Sequence, residues 1–114
     1  MVLKNSEKFL NVKTNEDNKE LFAYYLIENK NLSDITVHHY YNALQVIKDM
    51  FLEELEILIP TELYFIDDAR VFELIVDGFK SNEKMLAENK KRHYDLSAAI
   101  NNYQKFLSTL KEIR

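Results

Sequence analysis

A chain of 114 residues, 46% hydrophobic and 30% charged, has the make-up of one globular domain. Its single glycine, Gly78, and single proline, Pro60, exclude a glycine-rich phosphate loop and are too few for the turns of an all-β domain. The absence of cysteine excludes disulfides, thiolate metal centres and cysteine nucleophiles, and no apolar run reaches the ~18 residues of a membrane span. The formal charge of −4 disfavours strong non-specific binding to nucleic acid. That charge is uneven: residues 61–114 balance to zero, and residues 90–114 carry a net +4. The opening Met1-Val2-Leu3-Lys4-Asn5 lacks the basic-then-apolar plan of a signal peptide, so a cytoplasmic protein is expected.

Residues 1–14 show no firm period; Leu3, Phe9, Leu10 and Val12 fit a short helical turn or an extended arm packed on the domain. Residues 16–30 read as a first helix, with Asn15 or Asp17 as cap and Leu21, Tyr24 and Tyr25 on one face beside Phe22 and Leu26. Asn29-Lys30-Asn31 ends it, since asparagine tolerates a left-handed cap better than other non-glycine residues. Ser33 is the expected N-cap of a long helix over 34–58, in which Val37, Tyr40, Tyr41, Leu44, Ile47, Phe51, Leu55 and Leu58 recur at three- and four-residue steps. Such a helix is a central spine or is broken near Glu53-Glu54, and Pro60 stops it.

Leu63-Tyr64-Phe65-Ile66 lies in a connector expected to be a helical turn or loop, because no partner strand exists elsewhere. Asp67 or Asp68 caps a third helix over 69–77, with Val71, Phe72, Ile75 and Phe79 inward and Gly78 left-handed at its end. Ser81 reads as the cap of a thin, peripheral fourth helix over 82–91, with Lys84 and Glu88 spaced for an ion pair. Asp95 reads as the cap of a fifth over 96–111, whose stripe is Leu96, Ala99, Ile100, Tyr103, Phe106, Leu107 and Leu110. The expected architecture is all-α, a compact bundle of about five helices forming a single domain over 1–114.

Chemistry-bearing clusters are sparse. His38 and His39 are adjacent on a helix, so their rings diverge by about 100° and do not chelate one metal together. His93-Tyr94-Asp95 places a carboxylate beside an imidazole, but no nucleophile is tied to them and Asp95 is needed as a cap. No catalytic role, metal or other cofactor is assigned. Seven tyrosines carry polar tips that suit an interface as well as a core.

The segment from Phe22 to Leu44, with Tyr25-Leu26, Leu32-Ser33, Thr36-Val37 and Tyr40 in order, resembles the opening of the SAM-like core-binding domain of tyrosine recombinases. In that family this helical domain clamps DNA. Carried over by position, the resemblance implies DNA contacts at Ser33, Thr36, His39 and Tyr40; the recombinase catalytic domain and its Arg, His and Tyr machinery are absent. Asn89 and Leu96–Leu107 are similar to helical N-terminal regions of some restriction and HNH-type endonucleases, whose nuclease motifs are also missing. Both resemblances imply a non-catalytic DNA-binding or DNA-positioning helical module, one that fits the N-terminal part of a longer protein. The basic residues Lys90, Lys91 and Arg92 would join those contacts, or else form a solvated helix end. The alternative is a helical protein-interaction or oligomerisation domain, with a protein partner or a second copy in place of nucleic acid. A continuous basic face would favour DNA; scattered charge and an exposed apolar patch would favour protein.

Overall fold

The computed structural model describes residues 15–113, all of whose regular structure is helical. In chain order these are α1 (Asn15–Tyr24), which continues into a π-helical turn (Tyr25–Asn29), α2 (Asp34–Leu55), a short 3-10 turn (Leu63–Phe65), α3 (Ala69–Ser81), α4 (Glu83–Lys91) and α5 (Asp95–Ile113). Among the described residues the fold is the expected all-α bundle, with five α-helices. The readings of residues 1–14, and of Asn15 or Asp17 as the first cap, lie outside the described residues and side chains.

The helix boundaries follow from local hydrogen bonding. Asn31 is left-handed at φ 55°, and the Leu32 amide donates back to the Leu26 carbonyl at 3.1 Å, closing the π turn. Ser33 caps α2 as expected, its Oγ accepting from the Thr36 amide at 3.2 Å. The helix α2 runs unbroken through Glu53-Glu54 but ends at Leu55, three residues short of the expected Leu58. Glu56 takes φ 55°; its amide bonds Leu52 O, the closing bond of an αL C-cap, and the Ile57 amide reaches back to Phe51 O. Proline is therefore not what stops the helix. The chain turns earlier, and Ile57 and Leu58, read as the last of the apolar stripe, are 47% and 72% exposed.

Asp68 caps α3, accepting from the Arg70 amide at 2.8 Å. Gly78 does not end it. The helix passes through Gly78 with ordinary backbone angles and continues to Ser81. The glycine is needed for proximity, because a Cβ there would stand 2.9 Å from Cζ of Phe51, inside contact distance. Ser81 is likewise not the next cap; its hydroxyl donates to Asp77 O, and Asn82 caps α4 through the Met85 amide at 3.0 Å. Lys84 pairs across helices with Glu54 at 3.3 Å, and Glu88 instead holds Arg92 at 2.7 Å.

Asp95 is the first residue of α5 and makes no capping bond. That role falls to Asn89 on α4, whose Oδ1 accepts from the Ser97 amide at 3.0 Å and whose carbonyl accepts from the Tyr94 amide at 2.8 Å. The turn between the two helices is tight enough to hold His93 and Tyr94 in succession at φ 55° and 67°. Left-handed backbone costs a non-glycine residue roughly 1–2 kcal/mol, so the Asn89 bonds hold a conformation its own residues disfavour.

The core is built chiefly by α2 against α5, with α1 and α3 closing its sides. The expected stripe of α5 is buried throughout, from Leu96 to Leu110. At its centre the Tyr103 ring meets Phe22 edge-on at 4.8 Å and Phe72 at 4.8 Å, and Phe106 stands 5.3 Å from Phe22. Each such ring contributes about 1.5–3 kcal/mol by leaving water. Tyr103 also carries the polar fastening of the core. Its hydroxyl lies 2.8 Å from Tyr64 O and 2.7 Å from Ile66 O and accepts from Nδ2 of the buried Asn18. The 3-10 connector is thereby pinned to α1 and α5. Val71, expected inward, is instead 46% exposed.

Candidate functional site

The residues singled out in sequence divide between two neighbouring surfaces. Ser33 and Thr36 are occupied with each other at the start of α2, their hydroxyls 3.1 Å apart. One turn on, His39 is exposed and faces a shallow cleft of about 200 Å³ that it shares with Asn42, Arg92 and Asp95. Tyr40 is half-buried, and burial followed by the Asp95 carboxylate raises its phenol above the ordinary value. The fold thus brings the start of α2 against the α4–α5 turn, across more than fifty residues of sequence. Periodicity could not show this, because it reports which face of a helix is apolar and not which helix it meets.

The charge on this surface is mixed. Arg92 is engaged by Glu88, and Lys91 and Arg92 line a second, wider cleft of about 510 Å³ whose other wall carries Asp49, Glu53 and Glu54 from α2. Lys90 is exposed at the end of α4, without an ion-pair partner among the described residues. Carboxylates stand among these basic residues: Asp95 shares the His39 cleft with Arg92, and Asp49, Glu53 and Glu54 share the wider cleft with Lys91 and Arg92. No group of three His, Asp or Glu residues able to hold a metal ion occurs among the described residues.

The tyrosines are mostly structural. Tyr41 donates to Lys19 O at 2.9 Å and packs tilted against Tyr64 at 5.1 Å, with the Lys19 ammonium about 5 Å over both rings. Burial, then Tyr64 and Glu20, push its phenol up to about 12. Tyr94 is exposed on the α4–α5 turn.

The surface that sequence reasoning missed lies at the far end of α2. Where the helix stops early, the irregular segment Ile57–Thr61 and the first turns of α3 line an open groove of about 430 Å³. Phe51, Ile59, Ile66 and Ile75 form its floor; Ile57, Leu58, Val71 and Leu74 stand on its walls. Leu58 and Leu74 are 72% and 71% exposed, and nothing among the described residues covers them. Scattered surface leucines are ordinary, but four large apolar side chains around one groove are a patch of the kind that binds. The run Leu55-Glu56-Ile57-Leu58-Ile59 carried a signal in its excess of apolar residues, which periodicity absorbed into the helix.

No described helix is long and apolar enough to cross a membrane. Compared with protein-family models, with characterised proteins and with solved structures, the chain matches none of them.

Proposed function

We propose that this chain is a non-catalytic helical module that docks another protein through the groove between Ile57–Thr61 and α3. The observation that carries the reading is the exposure of Leu58 and Leu74 where both line one apolar groove. The titratable side chains support the same view, since they line open clefts in which Glu88 and Arg92, or Glu54 and Lys84, are already paired. Site-specific photocrosslinking tests it. With p-benzoylphenylalanine in place of Leu58 or Leu74, a discrete adduct to another protein is expected in the host cell, and none from the same probe at Lys105 on α5. Equal adducts from all three positions, or adducts only to nucleic acid or to residues 1–14 of the same chain, refute it.

A second reading, a DNA-positioning module, draws on one observation: His39 and Arg92 line the same cleft, and Lys90 and Lys91 precede Arg92 in the chain. Its contacts are Ser33, Thr36, His39, Tyr40, Lys90, Lys91 and Arg92. It requires duplex binding that weakens steeply with salt and is lost in Lys91→Ala/Arg92→Ala. Anisotropy titrations at low salt showing no binding, or binding indifferent to those changes, remove it.

A further inference from the structure

We propose that the occupant of the apolar groove is a basic amphipathic helix of a partner protein. This rests on the docking reading above and adds the chemistry of the partner. The walls are Ile57 and Leu58 on one side and Val71 and Leu74 on the other, over a floor that includes Phe51 and Ile75. The groove sits in the most acidic stretch of the molecule. Residues 49–77 hold nine carboxylates against one cation, Arg70. Arg70 itself lies 3.9 Å from Asp68.

Several of these carboxylates are exposed and have no ion-pair partner among the described residues: Glu56, Glu73 and Asp77. Glu56 adjoins Ile57 directly. Asp77 lies one turn from Leu74 on the surface of α3, and Glu73 and Asp77 stand four residues apart, where like charges repel. An apolar seam beside unrelieved negative charge is complementary to apolar side chains flanked by lysine or arginine.

The same charge decides against a second copy, nucleic acid and anionic lipid. A second copy would bring an identical set of carboxylates against this one. Nucleic acid and anionic lipid carry the wrong sign. An extended peptide adding a strand needs a sheet edge, and the described residues contain no strand. A helix laying anchors at i, i+3 or i+4, and i+7 into the groove needs no edge, because its backbone is bonded internally.

The test uses the full chain and three fluorescein-labelled peptides of about eighteen residues. The first has a Leu/Phe stripe at helical spacing with lysine elsewhere, the second the same stripe with glutamate, and the third the composition of the first with the stripe scrambled. The basic amphipathic peptide is expected to bind at least about tenfold more tightly than either control. Leu58→Ser/Leu74→Ser should weaken it about tenfold or more, and these exposed positions can change without loss of the fold. Glu73→Gln/Asp77→Asn should weaken it several-fold and flatten its salt dependence. Equal binding of the basic peptide and either control overturns the proposal, as does affinity indifferent to Leu58 and Leu74. Preference for the acidic peptide, abolished by Leu58→Ser/Leu74→Ser, refutes the partner chemistry while leaving the docking reading standing. A dimer by light scattering that those two changes disperse assigns the groove to a second copy and also overturns it.

Discussion

Replacing Tyr103 by phenylalanine isolates the hydroxyl that fastens the connector to the core. The ring and its contacts with Phe22 and Phe72, both at 4.8 Å, are kept. What is lost is a donor lying 2.8 Å from Tyr64 O and 2.7 Å from Ile66 O, and the acceptor for Asn18 Nδ2. A net hydrogen bond contributes about 1 kcal/mol, and a buried amide left short of an acceptor costs a further ~1–2 kcal/mol. Asn18 is 1% exposed and would keep only long contacts of 3.5 and 3.4 Å to the same two carbonyls. The expected loss is therefore about 2–3 kcal/mol of a total in the range of roughly 5–15 kcal/mol. In urea, with a slope of about 1–1.5 kcal/mol per molar for a small domain, the midpoint falls by roughly 1.3–3 M. A midpoint within about 0.3 M of the parent protein would refute the claim that this hub contributes net stability.

The same variant has a signature in alkali. Burial holds the Tyr103 phenol well above its ordinary value, and the smaller opposing effect of its bond with Asn18 does not reverse this. The folded protein therefore keeps protons that the unfolded chain releases from about pH 10 upward. This contribution is fully present below pH 10 and is lost as pH rises toward the folded values. The limiting slope is about 1.4 kcal/mol per pH unit for each tyrosine still protonated. Tyr103→Phe should remove one tyrosine's share of that slope between pH 10 and 12; an unchanged slope would sink the assignment.

Gly78→Ala should destabilise by about 1–2 kcal/mol, because a Cβ meeting Phe51 at 2.9 Å outweighs the gain of roughly 1 kcal/mol in helix propensity. In a Phe51→Leu background the same change should become neutral or stabilising, and additive effects in denaturant titrations would count against the contact. Glu56→Gly should stabilise by about 1 kcal/mol by relieving the left-handed backbone at φ 55°, and a lower thermal midpoint would contradict this. Asn89→Ala should cost about 1–3 kcal/mol and expose the first amides of α5 to hydrogen exchange, whereas Asp95→Ala should cost less than about 1 kcal/mol. The reverse order would restore Asp95 as the cap.

Taken by itself, the amino-acid order determined the class of fold, the helices of the described residues, the Ser33 cap and the α5 core stripe. These are set within one or two turns, by side-chain period and by a polar atom reaching the nearest free amides. Tertiary structure decided what depends on residues far apart in the chain. Gly78 looked like a terminator because glycine favours left-handed backbone, and only the approach of Phe51 shows that it makes room between two helices. Asp95 looked like a cap because it stands at the right place, but Asn89 arrives from another helix and takes the amide first. Ile57, Leu58 and Val71 fitted an inward stripe. The early left-handed turn at Glu56 leaves them around an open groove, since period reports which residues share a face and is silent on whether anything covers it.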